Sequence, residues 1–548
     1  GLNFVAKTSD NGDHWTKISG ELGIPAGLDS MAAANLTNGR GAIESMSVST
    51  VSRGVIWVGT SNGLIHVTRD EGKTWKNVSV PNLPIPRRAN ISAIDASHHA
   101  AGTAYVAIEY LRGGDHTPYI FRTKDYGATW TKITDGLPEG EAGGSFVRVV
   151  REDPVKAGLL FAGTESHAYV SFDDGGHWQS LANNLPNSPV RDMLVKGNDL
   201  VIATHGRGFW ILDNISMLRQ LTPMTAADNH LFAPGKTVRM RRNVNSDTPL
   251  PPEVPHALNP MDGAIIDYWL ASKPSGVITL DVKDSAGKAV RHLSSADIKP
   301  VSEAARPPHP NFWVLDEKGI PANAGANRTN WDLRYDSPNV FNHSYEISAN
   351  PGLTPPSPEG ELAPPGTYTL TLKVDGKAYI QRVTVVNDPR SPASAAAIAA
   401  QHVLLREISA AIEAAWAGAQ QVAAVRAALD TAGASPVVVS AIAAFRAKVD
   451  SVGGGGGGGR RGGGGAGPTF RSLNGQFAGQ LGAQDNADHA PNGPMRAAYS
   501  AACKDLAKVQ ARWSTIATKD LSALNAVLAA NGKNPIPAPS VRAPVVCR

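Results

Sequence analysis

Cysteine is nearly missing from this chain: Cys503 and Cys547 are the only two among 548 residues. A disulfide-framework module and a thiolate-rich metal centre are thereby excluded. The pair can close one disulfide that ties down the tail, pointing to an oxidising compartment, or stand as two free thiols. No sign of charge dominates either, with 52 Lys and Arg against 48 Asp and Glu and a net charge of +4. The basic stripe of a nucleic-acid binder is absent, and Arg460-Arg461 is too short to form one. No apolar run reaches the roughly eighteen residues of a membrane-spanning helix. Metal-ligand spacings, a phosphate-cradling loop and a nucleophile elbow are all missing, so neither metal nor cofactor is expected. The first residues, Gly1-Leu2-Asn3-Phe4-Val5-Ala6-Lys7, lack a basic region and a long apolar core. They read as part of a strand, not as a secretion signal.

What the chain has in quantity is turn-formers, 55 Gly and 39 Pro, and one octapeptide written four times. Thr68-Arg69-Asp70-Glu71-Gly72-Lys73-Thr74-Trp75 is matched around Asp10, Gly12 and Trp15, around Asp125, Gly127 and Trp130, and around Asp173, Gly175 and Trp178. A hydroxyl, Asp, Gly and Trp keep their offsets in every copy, and the aspartates fall 60, 55 and 48 residues apart. That period fits one four-stranded blade with variable loops. The residue types are those of a turn. An Asp carboxylate accepts backbone N–H bonds two residues on, Gly supplies positive φ, and the Trp opens the next strand and buries its ring on a neighbouring blade. These aspartates are structural, not catalytic.

Alternating apolar strands separate the copies. Strands at 42–49, 55–60, 64–69 and 75–79 make one blade, and the pattern repeats twice to residue 181. A last set at 190–195, 200–204 and 208–212 has no octapeptide, as expected where other chain completes the outer strand. Only one strand precedes the first copy. Three whole blades and two partial ones are too few to close a propeller, so the chain is expected to be the later part of a longer polypeptide.

The octapeptides, Gly54-Val55-Ile56-Trp57-Val58-Gly59-Thr60 and Ala203-Thr204-His205-Gly206-Arg207-Gly208-Phe209-Trp210 together resemble the large secreted bacterial Asp-box (BNR-repeat) propeller proteins. Members are labelled sortilin/VPS10-like or glycosyl hydrolase-like. The resemblance implies a further propeller region ahead of residue 1, supplied by the same polypeptide, and a secreted, periplasmic or cell-surface location.

A sialidase-like site needs an arginine triad, a Tyr–Glu pair and an acid. The arginine-bearing motif is missing, and Phe146-Val147-Arg148-Val149 is a poor stand-in. A two-carboxylate mechanism needs Asp or Glu converging on a pocket. Glu109, Glu152 and Glu165 are the candidates at strand ends, with Asp115 and Asp153 behind them, each also readable as a solvated loop carboxylate. His205 and Arg207 flank Gly206 between two strands and are candidate binding residues, or simply turn the chain into its last blade.

Beyond the blades, at 1–222, the punctuation changes. Strands at 264–270, 277–283, 289–294, 327–335, 366–374 and 378–386 predict an immunoglobulin- or fibronectin-like β-sandwich over 228–388. Trp269, Trp313 and Trp331 could stack on sugars, though buried core rings are the ordinary outcome. A helical segment follows at 391–452, with Ser391 capping and Pro392 at the first helical position. A glycine-rich linker spans 453–467. The region 468–548 holds a last helix from about 494 to 531, expected to pair with 395–429 as a helical hairpin, and a tail that a disulfide would fold back. The fold class is therefore mainly β with a helical end.

Three functions fit. The chain is a binding platform for protein, peptide or glycan without chemistry of its own. Alternatively it belongs to a glycoside hydrolase whose carboxylates lie mostly in the preceding propeller, or it is a structural part of an extracellular assembly, where a homo-oligomer would serve.

Overall fold

The computed structural model describes residues 3–25, 27–29, 31–32, 39–83, 89–139, 146–181, 183–241, 248–251, 253–296, 310–314, 319–345, 354–430, 435–454, 467–540 and 547. The chain forms two compact units, Gly1–Pro223 and Met224–Arg548.

The first unit is a succession of antiparallel sheets. It opens with the hairpin β1 (Ala6–Lys7) and β2 (Thr16–Lys17). Three four-stranded sheets follow in simple meander order: β3 to β6 (Ile43–Val48, Ile56–Thr60, Ile65–Thr68, Lys76–Asn77), β7 to β10 (Asn90–Ala96, Ala104–Tyr110, Asp115–Thr123, Thr131–Lys132) and β11 to β14 (Val147–Glu152, Leu160–Thr164, Ala168–Ser171, Gln179–Ser180). The last sheet has three strands, β15 (Val190–Lys196), β16 (Asp199–Thr204) and β17 (Phe209–Leu212).

First strands lie beside first strands, β3 against β7, β7 against β11 and β11 against β15. The middle strands are buried on both faces: β12, Leu-Phe-Ala-Gly-Thr, has no exposed residue. Both faces are covered because each sheet is sandwiched between its neighbours, which explains unbroken apolar runs where an alternating strand would have one wet face. One core joins the second and third sheets through Trp57, Ile65, Ile91 and Val106. Another joins the third, fourth and fifth through Tyr105, Ile120, Phe161, Trp178, Val190 and Met193. Sheets stacked face to face around their first strands are the β-propeller plan.

The second unit builds one core between two sheets. The smaller has β18 (His230–Leu231), β20 (Ala264–Leu270) and β23 (Gly325–Trp331) in the order β18-β20-β23. The larger runs β19 (Thr237–Arg239), β27 (Lys377–Asn387), β26 (Gly366–Val374), β21 (Thr279–Lys283) and β22 (Ala289–Ser294), with β19 parallel to β27. A short hairpin, β24 (Ser344–Tyr345) and β25 (Pro356–Ser357), lies between them in sequence. Ile266, Tyr268, Leu280, Trp331, Leu370 and Val383 meet in the core. Trp331 is thus a core ring, whereas Trp269 and Trp313 are half-buried.

The C-terminal helices are α1 (Ala395–Asp430), α2 (Pro436–Gly453), α3 (Phe470–Gln484), α4 (Gly493–Thr515) and α5 (Leu521–Ala530), the last two joined by a π turn at Ile516–Asp520. The sequence reading assigned no helix at α3, yet α3 is the chief partner of α1. Phe470, Leu473, Phe477 and Leu481 fill the α1 groove around Gly418, where a Cβ would lie 2.4 Å from the Phe470 ring. The expected two-helix pairing is therefore a five-helix packing. Cys503 and Cys547 form a disulfide. Of the proposed linker, residues 455–466 lie outside the described residues.

Helices and sheets of this unit are bolted together by ions. Arg239, at the end of β19 and 2% exposed, holds Asp488 at 2.8 Å. Arg241 reaches the same carboxylate at 2.7 Å, and Arg334 holds Asp485 at 2.8 Å. Burial alone would raise the Asp488 pKa; the bonds and charge of Arg239 and Arg241 outweigh it and lower the value. Glu361, fully buried, accepts Ser409 of α1 at 2.7 Å and pairs with Arg406. Breaking one partner strands the other in a dry place. Asp488→Ala should therefore cost about 3–5 kcal/mol in chemical denaturation, whereas exposed Asp505→Ala should change stability by about 0.5 kcal/mol or less.

Candidate functional site

The repeated octapeptide is built as follows. In the second copy the Thr68 hydroxyl donates to the Asp70 carboxylate at 2.8 Å and accepts the Gly72 N–H at 2.9 Å. Asp70 in turn accepts the Thr74 N–H at 2.9 Å and the Thr74 hydroxyl at 2.7 Å. Thr8, Thr123 and Ser171 repeat the first pair, and His14, Thr129 and His177 supply the N–H of the second. The carboxylate thus reaches four residues on, two further than an Asx turn requires, because two consecutive residues have positive φ: Glu71 at 62° and Gly72 at 92°. Asn11, Tyr126 and Asp174 hold the same strained non-glycine position.

The turn also docks each blade on the one before. The Trp75 indole N–H donates to the Ile18 carbonyl at 2.9 Å, Trp130 to Val78 at 2.8 Å and Trp178 to Ile133 at 2.8 Å. Each acceptor stands three residues after the Trp of the preceding copy. The box glycine lies over the same residue. A Cβ on Gly72 would come within 2.7 Å of the Ile18 carbonyl, one on Gly127 within 2.6 Å of Val78, and one on Gly175 within 2.4 Å of Ile133. Trp15 differs: it is 63% exposed and its indole donates to its own Gly12 carbonyl at 3.0 Å, while Gly12 has nothing near it.

The candidate carboxylates are engaged by neighbouring side chains. Glu109 lies 2.6 Å and Glu165 3.0 Å from the same guanidinium, Arg148, with Arg191 at 3.7 Å from Glu165 and Asn90 donating to Glu109 at 3.0 Å. Arg148 ties the pair together; its local sequence, Phe146-Val147-Arg148-Val149, drew notice only as a poor motif match, and its two partners come from distant positions in the chain. Glu152 is buried, accepting the His98 N–H at 2.9 Å and the Tyr105 hydroxyl at 3.1 Å. Asp115 accepts the Thr117 N–H and the Tyr119 hydroxyl, both at 2.9 Å. Asp153 is fully buried on Arg219 at 2.9 Å. Each of these carboxylates is thus held by an ion pair or hydrogen bonds within the first unit. His205 and Arg207 are exposed at the tip between β16 and β17, where the Trp210 indole donates to the Arg207 carbonyl at 3.0 Å. Among the described residues, no group of His, Cys, Asp and Glu is arranged to hold a metal ion.

The last sheet presents the surface that the sequence reading did not single out. Its inward face, Val190, Met193, Leu200 and Ile202, is buried. On the opposite face Leu194 is 57% exposed, Phe209 79% and Ile211 57%. The matching positions of β13, Ala168 and Val170, are 0% and 3% exposed. The run Phe209-Trp210-Ile211-Leu212, apolar at every position, was the available signal: such a strand is built to be covered on both faces.

No family model and no curated protein matches this chain. Among solved structures it is similar to a YCF48 protein bound to a D1 peptide, at 19% identity over 32% of this chain and 52% of that one, with a TM-score of 0.25. It is also similar to the GH74 enzyme of Niastella koreensis (13% identity, 46% and 30% covered, TM-score 0.25). The GH74 xyloglucanase of Xanthomonas campestris is a further likeness (10%, 62% and 47%, TM-score 0.25). The chain spans about half the length of the YCF48 chains, 52% and 54%. What the fold defines is a protein built on β-propeller blades.

The turn carboxylates set a pH dependence. Hydrogen bonds from the Thr74 and Thr129 hydroxyls, then from their backbone N–H groups, hold Asp70 and Asp125 down to about 2, below the ordinary 3.8. The folded state then binds fewer protons than the unfolded chain across that window. The contribution is fully present above the ordinary value and is lost as pH falls through about 2. Urea unfolding followed between about pH 5 and pH 2 should show stability falling across this range. In the Asp70→Asn, Asp125→Asn double variant the slope should be shallower; an unchanged slope would contradict the assignment.

Proposed function

We propose that the chain is part of a secreted Asp-box, sortilin-like propeller protein that serves as a platform for a protein partner, with an immunoglobulin-like sandwich and a helical end as its second unit. The observation that carries this reading is the uncovered apolar face of the last blade, Leu194, Phe209 and Ile211. Apolar side chains grouped on one sheet face mark an interaction site, and propeller loops and rims are where binding is usually placed. The Cys503–Cys547 disulfide supports the extracellular assignment. The hydrolase alternative needs two carboxylates about 5–10 Å apart across a cleft that admits the sugar. Here Arg148 stands between Glu109 and Glu165 instead.

The intact chain, cross-linked in a total extracellular protein fraction, should recover a partner. The Leu194→Asp, Ile211→Asp double variant should lose it, while Glu109→Gln and Glu165→Gln retain it. Turnover of xyloglucan or a sialoside by the wild type that Glu165→Gln abolishes would refute the platform reading.

A further inference from the structure

The near balance of basic and acidic side chains over the whole chain conceals an uneven distribution. Residues 493–548, the last two helices and the tail, carry eight Lys and Arg against two Asp and no Glu. The rest of the chain holds two more acidic than basic side chains. Five of those cations lie on α4 and the π turn after it. Lys504, Lys508 and Arg512 follow one another at intervals of four residues and are exposed, with exposed Arg496 before them and Lys519 after. Tyr499, Leu506, Val509 and Trp513 of the same helix are buried in the helical core. The basic stripe is thus the side turned to water.

Little within the molecule neutralises this stripe. Among the described residues, Arg496, Lys504 and Lys519 make no ion pair. Lys508 pairs with Asp505 at 2.9 Å, but both side chains are largely in water, where such a contact is weak. Asp520, the other acid of the segment, is taken by Lys448 of α2 at 2.8 Å. Arg512 donates to the Ser451 hydroxyl at 2.8 Å, a neutral partner that leaves its charge in place. The side chains beside the cations are small: Ala501 and Ala511 are both exposed, so nothing bulky shields the stripe. The Thr515 hydroxyl, also exposed, donates to the Ala511 carbonyl at 3.3 Å and keeps its oxygen as an acceptor.

We propose that this face of α4 binds an acidic polysaccharide. A chain of uronate sugars lies along the helix, its carboxylates on Lys504, Lys508 and Arg512 and a sugar hydroxyl donating to Thr515. Cations four residues apart on a helix advance about 6 Å, a spacing suited to a polymer with one charge per sugar ring. Duplex nucleic acid carries a charge every ~1.7 Å, far denser than the stripe can match. The disulfide at Cys503, immediately before Lys504, fits an oxidising compartment, where polysaccharides are ordinary polyanions. The inference goes beyond the protein partner of the last blade and shares with that reading only the extracellular assignment.

A labelled ten-unit oligogalacturonate tests this on the intact chain by fluorescence anisotropy. Saturable binding is expected, weakening as salt rises, with no binding of a neutral dextran of the same length. The Lys504→Gln, Lys508→Gln double variant should weaken it about tenfold. Its urea midpoint should stay close to that of the wild type, as expected of exposed substitutions. Lys283→Gln, Lys288→Gln removes the same charge from exposed positions of the second unit's larger sheet and should leave binding unchanged. The readout needs no protein partner, so its outcome is separate from that of the platform reading. Absence of saturable binding overturns the proposal, as does an equal loss in the two lysine variants. Tighter binding of a ten-nucleotide thymidine strand, or of phosphatidylglycerol vesicles, overturns it in favour of a nucleic acid or a lipid surface.

Discussion

A tryptophan N–H and a missing side chain hold the blades in step. In each octapeptide the hydroxyl–Asp–Gly network closes a turn through two residues of positive φ, and the closed turn aims Gly and Trp at the blade before. The indole binds the carbonyl of the aliphatic residue that ends that blade, and the glycine leaves room for its side chain. A single hydrogen bond of this kind contributes about 1 kcal/mol net. Its larger effect is geometric, because it fixes where one sheet lies on the next and so lets their apolar faces merge into shared cores. The second unit uses a different fastening, carboxylates of the loop after α3 set into arginines of the sheets.

Much of this was readable from residue order. The octapeptide, its period and the apolar runs between copies placed most strands of the first unit to within a residue or two, because turn chemistry and strand burial are local properties. The positive-φ requirement at Gly72 was legible; that Glu71 shares it was not, since no residue preference marks that position. The Asp70 carboxylate reaching Thr74 instead of Lys73 or Gly72 follows from that second unusual residue.

The rest depended on contacts between distant segments. Helix α3, with Gly475, Gly479 and Gly482 among its fifteen residues, has weak helical propensity and too few apolar positions to declare itself. It is held by capping at Thr469 and by the α1 groove. Arg148 became part of the Glu109–Glu165 pair only when β8, β11 and the end of β12 came together. The candidates His205 and Arg207 lie on the hairpin of the blade that matters, but the apolar face beside them is the larger feature.

The measurement that bears most directly on the uncovered last blade is hydrogen exchange of the intact chain, comparing β17 with β13. The two strands share their register with the strand before, and they differ in having an outer neighbour. The account predicts that the Phe209 and Ile211 amides exchange much faster than those of Ala168 and Val170. Equal protection of the two strands would mean that the edge is already filled and would contradict it.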